Sequence, residues 1–359
     1  MIETNRRIKV LDALRGVASL AVCWTHFTNG NPSFLADGII KSSGAYLWMG
    51  VDIFFVVSGF IIPFALHRSE YKLAHYFVFI VKRLLRLDPP YLVAIIICIS
   101  LGFLSSATPG FNGEQFQVSI PQFLLHFCYV NVFFGYKWFN PVFWTLAIEF
   151  QYYLILGLLF PLICSKRNLI RISTWLVLSL LPFLLPSPSF VFHYLFFFLI
   201  GISTFQYWVG LIDIKAYALL LILFSVGNGY VLGGTLAITG IATACVIAFV
   251  DVPEYAPFKF LGKISYSLYL MHVPIGSRVI NLSLRFVHNT GGKIAVLAVA
   301  VGLSIAAAYM LCRLVEGPSQ RWSSSVKYNR KMRLEATSDS NGAPIADTMQ
   351  VLANERPTA

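Results

Sequence analysis

Ten apolar runs follow one another down this chain, each about the length needed to cross or nearly cross a hydrocarbon core of roughly 30 Å, and they constrain its fold more than any motif does. They lie near residues 9–27, 46–66, 88–104, 142–164, 170–185, 190–208, 215–229, 231–250, 260–280 and 293–314. In lipid, backbone polar groups must satisfy one another, so runs of this length read as spanning helices. Composition agrees, because 57% hydrophobic and 12% charged residues make too apolar a mixture for a soluble globule of 359 residues. The expected fold is all-α, a polytopic membrane bundle of about ten transmembrane helices. Phe123 to Phe134 is apolar but too short to span, and is expected to be re-entrant or interfacial.

A net charge of +11 would suit a nucleic-acid partner if the cations formed one face. They fall instead in short clusters between apolar runs, so the expected surroundings are a lipid bilayer and no nucleic acid. With the N-terminus cytoplasmic, inner segments collect Arg6, Arg7, Lys9, Arg68, Lys72, Lys82, Arg83, Arg86, Lys166, Arg167, Arg171, Lys215, Lys259 and Lys263. Outer segments keep Lys41, Lys137, Arg278, Arg285 and Lys293. That bias places both termini on the cytoplasmic side of a cytoplasmic (inner) membrane. Residues 1–320 then form the membrane domain, and 321–359 a tail that is basic to Arg333, then polar, and expected to be disordered. No cleavable signal is expected, since Asp12 and Arg15 interrupt the first run and no small-residue cleavage site follows. The six cysteines sit singly, read as small buried hydrophobes, and imply no metal.

The first run, Val10 to Phe27, carries charges that a spanning helix should not carry. Arg15 and His26 are eleven residues apart, about three helical turns, so both project from nearly the same face roughly 16 Å apart. Asp12 and Ser19 join that face. Ionisable groups at bilayer depth cost about 2.5–3.5 kcal/mol on insertion scales, so they face protein or a watery cavity and mark a functional path. This polar stripe is read as one wall of an active site.

Further groups stand out along the chain. Arg83 and Arg86 point the same way on a helical turn and suit phosphate, although an ordinary positive-inside cluster explains them as well. Asp88 pairs naturally with one of them, and Pro89-Pro90 suits the start of the third helix. In the second run Asp52 sits near the outer end, where water can reach it, and Ser58-Gly59 suits close helix packing or chemistry. Glu149 lies two turns into the fourth run and should pair across helices, with Arg15 or a histidine, as a tether or an orienting group. Ser265, Tyr269 and His272 share a face by i, i+4, i+7 spacing, and His272 is as readily a packing histidine as a reactive one. Runs five to eight are nearly uncharged and read as scaffold, with His193 an interfacial histidine. The outer loop holding Asn112, Gly113 and Glu114 and the inner loop Pro253-Glu254-Tyr255-Ala256-Pro257 read as connectors.

Together these pieces resemble the type 3 family of multi-span membrane acyltransferases, which includes bacterial polysaccharide O-acetylases. The matching residues are Leu11-Asp12-Ala13-Leu14-Arg15-Gly16, the interval to His26, Gly50 through Phe60, Arg83-x-x-Arg86, Trp144 through Glu149, Ser265-Tyr266-x-x-Tyr269-Leu270-x-His272 and Glu316-x-Pro318. Seven motifs in this order cover nearly the whole chain before the tail. Lys82, where a basic partner of Arg83 is common, and Thr145, where serine usually follows Trp144, are mild departures. No hydrolase-type domain is expected after the last run, so acceptor handling is expected in the membrane domain or in a partner.

The resemblance implies transfer of an acyl group, usually acetyl, from cytoplasmic acyl-CoA (acetyl-CoA) to a hydroxyl of a carbohydrate or glycolipid acceptor. It implies that Arg83 and Arg86 hold the coenzyme's phosphates, with Arg15 and Ser58 beside the donor. His26, an imidazole of near-neutral ordinary pKa, would act as general base or as covalent acyl carrier. Arg15 would stabilise the donor or the oxyanion, and Tyr269, Ser58 or Glu149 would position or polarise. A proton-coupled transporter or flippase could use the same buried charges, but the charged runs cluster in the first half and show no inverted repeat. A sensor or scaffold leaves the Arg83/Arg86 pair and the depth of His26 unexplained.

Overall fold

The computed structural model describes residues 2–108, 115–253 and 255–328, with side chains from Lys9 onward. The side chains of Arg6 and Arg7, the loop residues Asn112, Gly113 and Glu114, Glu254, and residues 329–359 including Arg333 lie outside the described residues. Among the described residues regular structure is helical throughout. In order these are α1 (Ile2–Asn29), α2 (Ile39–Ser43), α3 (Gly50–Arg68), α4 (Tyr76–Ser106), α5 (Ile120–Phe127), α6 (Trp144–Ile163) and α7 (Asn168–Leu184). There follow α8 (Leu195–Trp208), α9 (Ile214–Leu232), α10 (Gly234–Phe249), α11 (Ala256–Met271), α12 (Arg278–Ser283), α13 (Thr290–Leu311) and α14 (Gly317–Ser325).

Each apolar run coincides with a helix: α1, α3, α4, α6 to α11, and α13. Six stretches are long and apolar enough to cross a membrane, namely Ile39–Arg68, Leu73–Ser106, Trp144–Ile163, Val191–Trp208, Ile214–Leu232 and Thr290–Ser325. Asn168–Leu184 and Gly234–Phe249 are apolar but shorter. The chain is a multi-pass membrane protein. The stretch from Phe123 to Phe134 forms the second half of α5 and a short 3₁₀ turn, Asn131–Phe134. His126 pins this segment from the inside: its Nδ1 meets the Gln122 carbonyl at 2.8 Å and its Nε2 accepts from Phe139 N–H at 3.2 Å.

The third helix corrects the expectation that it starts at Pro89-Pro90. α4 runs from Tyr76 through both prolines, so Lys82, Arg83 and Arg86 are inside the helix rather than in a loop before it. Membrane helices tolerate proline because neighbouring groups satisfy the backbone positions it frees. The cysteines also differ from expectation, since all six are free but only Cys23, Cys98 and Cys312 are buried.

Packing is organised around α8, whose residues from Leu195 to Gln206 are all buried. A helix apolar on every side belongs at the centre of a bundle. Phe198 on α8 stacks on Tyr152 at 4.1 Å between ring centroids and meets Phe55 at 5.0 Å, joining α6 and α3 to the centre. Two glycine crossings set the remaining spacing. A Cβ placed on Gly201 would lie 2.7 Å from Gly59 Cα, so α3 and α8 touch backbone to backbone. A Cβ placed on Gly16 would lie 2.8 Å from Leu261 Cβ, and one on Gly262 would press into the Asp12 backbone. Small residues permit this approach between spanning helices. It brings α1 and α11 together at the level of Arg15.

Candidate active site

Five helices and one irregular turn enclose a cavity of about 240 Å³. α1 supplies Arg15; α3 supplies Phe54 and Ser58; α4 supplies Arg83 and Arg86; α6 supplies Thr145, Glu149 and Tyr153; α11 supplies Tyr266 and Tyr269. Glu316 completes the wall from a π-helical turn, Cys312–Glu316, between α13 and α14. No residue of α7 to α10 lines it, in keeping with their reading as scaffold.

The hydroxyls and carboxylates of the wall are hydrogen-bonded, most of them across elements. Ser58 Oγ donates to Glu149 Oε1 at 2.7 Å, and Tyr153 OH donates to the same oxygen at 2.5 Å. Glu149 is thus held by two hydroxyls among the described residues, not by the cation or histidine expected of it. The reason is its register: Tyr153 is one turn along the same face of α6, and α3 passes close enough for Ser58 to reach across. Tyr269 OH lies 2.7 Å from Thr145 Oγ1, and Tyr266 OH donates to the Leu87 carbonyl at 2.9 Å, tying α11 to α6 and α4. Glu316 Oε2 accepts from Ser267 Oγ at 2.6 Å, and Oε1 accepts from Gln320 Nε2 at 3.0 Å.

The three guanidinium groups are less fully matched. Arg83 lies over the rings of Phe79 and Tyr153, 5.3 and 5.6 Å from their centroids, while its Nε has no hydrogen-bond partner among the described residues. The charged neighbours of Arg86 include Arg15, Arg83, Glu316 and Asp12. Three cations and two carboxylates line the cavity, and Asp12, off its wall, is a further carboxylate within electrostatic reach of Arg15 and Arg86. The wall itself carries more guanidinium groups than carboxylates, an arrangement that suits an anionic guest.

His26 is not among the residues lining this cavity. It occupies the last turn of α1, half-buried, with its ring 5.2 Å from that of His272. His272 lies 5.8 Å from Tyr269, which does line the cavity and itself packs on Phe54 at 5.8 Å. A row of rings therefore leads from the cavity wall to His26. His272 opens a π-helical turn, His272–Ser277; its Nδ1 is 3.1 Å from the Leu268 carbonyl and its Nε2 has no partner among the described residues. With Nδ1–H donating to that carbonyl, the free lone pair is on Nε2.

The structure brings Arg15, Ser58, Arg83, Arg86, Glu149 and Tyr269 to one cavity and leaves His26 at the end of the ring row. Asp52 is buried rather than solvated, with Oδ2 unpartnered among the described residues, because the first turn of α3 is packed against α1 and α10. Asp88 accepts from Tyr129 OH at 2.7 Å instead of pairing with an arginine. Sequence reading passed over Tyr153, although its i+4 spacing from Glu149 was a usable signal, and over Glu316 as a wall residue, which only tertiary folding places. Lys82 faces away from the cavity and donates to the carbonyls of Ser323 at 2.9 Å and Val326 at 2.5 Å, clamping the end of α14 to α4. Among the described residues no three His, Cys, Asp or Glu side chains could hold a metal ion.

A family model described as an acyltransferase domain matches residues 8–313, nearly all of this bundle. The chain belongs to that acyltransferase family. It is 27% identical over 324 residues to the O-acetyltransferase OatA of Staphylococcus aureus, covering 75% of this chain and 51% of that protein. It is 25% identical over 328 residues to the peptidoglycan O-acetyltransferase OatA of Listeria monocytogenes, covering 76% of this chain and 50% of that one. The chain thus spans about half the length of the curated relatives it matches. No solved structure matches it.

Proposed function

We propose that this chain is an O-acetyltransferase that takes an acetyl group from cytoplasmic acyl-CoA and delivers it to a hydroxyl of a saccharide or glycan acceptor. The observation that carries this reading is the cavity joining the three guanidinium groups of Arg15, Arg83 and Arg86 to the hydrogen-bonded carboxylate of Glu149. The relatives named O-acetyltransferases support the reaction type.

In this mechanism Arg83 and Arg86 grip the pyrophosphate of the donor with forked, charge-assisted hydrogen bonds. The narrow acyl-pantetheine arm lies along the cavity past Ser58 and Tyr269 toward the ring row. Arg15 holds positive charge beside the bound donor in the cavity, and Glu149, fixed by Ser58 and Tyr153, orients the neighbouring groups. His26 accepts the proton of the acceptor hydroxyl as its oxygen bonds to the acetyl carbon; the carbon–sulfur bond breaks and the thiolate takes that proton. In the two-step variant the acetyl group rests on the imidazole before the alcohol attacks. Positive-inside bias supports an inner-membrane setting with both termini cytoplasmic, where the coenzyme is available.

The test is purified protein in nanodiscs with acetyl-CoA carrying a labelled acetyl group. The expected result is release of free thiol in step with label appearing on a saccharide hydroxyl, identified by mass spectrometry in cells with and without the chain. A protein that moves substrate across the bilayer without consuming thioester would instead be a transporter. Acid-quenched peptide mapping for label on His26 separates the one-step from the two-step route.

A further inference from the structure

A second opening lies beside the cavity, next to Glu316. It is an open groove of about 610 Å³ between α11, the Cys312–Glu316 turn and α14. Lys263, Arg313 and Arg321 line it, with Gln320 and Ser324. All five side chains are exposed, and no ion pair joins the three cations to a carboxylate among the described residues. Gln320, Arg321 and Ser324 fall on one face of α14 by helical spacing. The opposite face, Ser319 and Ser323, is buried, and Ser323 Oγ donates to the Lys82 carbonyl at 2.7 Å. The groove is therefore a built surface, held against the arginine-bearing part of α4.

Groove and cavity share a wall. Gln320 lines the groove and donates to Glu316, which lines the cavity. The cavity, about 240 Å³, is smaller than the roughly 300–1,000 Å³ that encloses a drug-sized ligand, so it takes a slender acyl arm and not a nucleotide as well. Coenzyme A ends in an adenosine bearing a 3′-phosphate, joined to that arm through the pyrophosphate. We infer that the groove formed by Lys263, Arg313 and Arg321 binds the 3′-phosphoadenosine end of the donor. Two guanidinium forks and one ammonium suit a terminal phosphate, and the adjoining Arg83 and Arg86 meet the pyrophosphate where it crosses the shared wall. The assignment rests on acyl-CoA being the donor.

The experiment compares acetyl-CoA with acetyl-dephospho-CoA, which lacks only the 3′-phosphate, by isothermal titration on the full chain in nanodiscs. The wild-type protein should bind acetyl-CoA at least about tenfold more tightly, and the triple variant Lys263→Gln, Arg313→Gln, Arg321→Gln should lose that preference while binding the dephospho compound within about twofold of wild type. These residues are exposed, so the variant should fold; a second variant, Arg321→Gln alone, should lose part of the preference. Preference that survives the triple change, or equal weakening of both compounds, overturns the groove assignment and leaves the donor reading intact. Discs with and without phosphatidylglycerol give the other arm: a difference between wild type and variant confined to anionic discs makes the groove a lipid-headgroup site and overturns the assignment. A wild-type protein that binds neither compound overturns the donor reading, and the groove assignment with it.

Discussion

Ser58 Oγ donates to Glu149 Oε1 across 2.7 Å, joining α3 to α6 at the wall of the cavity. Ser58 turns toward the carboxylate while its neighbour Gly59 packs on Gly201, so the Ser-Gly pair permits close helix packing and also places a hydrogen bond in the cavity wall. A hydrogen bond to a charged group contributes about 1.5–3 kcal/mol, so Ser58→Ala should lower acetyl transfer by roughly 10- to 100-fold if the orientation of Glu149 matters to the reaction. Glu149→Gln, which keeps the shape and removes the charge, should fall at least as far. Rates on labelled acetyl-CoA check this, and normal turnover in both variants would reduce the pair to a tether.

His26→Ala should abolish modification while the protein remains in the membrane. Loss of a general base lowers rate by about 10²–10⁴, and loss of a covalent carrier removes it. Product formation with membrane-fraction immunoblotting separates this from misfolding. Near-normal product would defeat the role proposed for His26.

Arg83→Ala and Arg86→Ala test the donor-binding role proposed for these residues. Each removes a charge-assisted contact, so KM for acetyl-CoA should rise about tenfold or more with a smaller change in kcat. An unchanged KM would return both residues to topology alone.

Gly262→Val tests the crossing of α1 and α11. Its side chain would push into the Asp12 backbone, and overpacking of this kind costs about 1–3 kcal/mol. The expected outcome is a lowered Tm in detergent together with reduced donor affinity, because Arg15 moves with α1. Val at the exposed Gly302, where an added Cβ meets nothing within 4 Å, should leave both unchanged.

Lys82→Met removes the ammonium that holds the carbonyls of Ser323 and Val326. Limited proteolysis should then cut faster near Val326, whereas a cut rate equal to that of wild type would mean the clamp contributes little.

The apolar runs by themselves determined that the chain folds as a helical membrane bundle, because lipid leaves the backbone few other ways to satisfy its hydrogen bonds. They also located the helices, and the spacing of Arg83 to Arg86 and of Arg15 to His26 placed each pair on one face, since those are short-range properties of a single helix. Helix ends were less legible: α4 runs through Pro89-Pro90 because neighbouring helices relieve what proline removes. Pairings between helices were decided only by tertiary structure. Glu149 meets hydroxyls and not a cation, Asp88 meets Tyr129, and Glu316 reaches the cavity from a turn more than 160 residues along the chain from Glu149. Those choices depend on how closely backbones approach at Gly16, Gly59, Gly201 and Gly262, a distance that side-chain spacing along one helix does not encode.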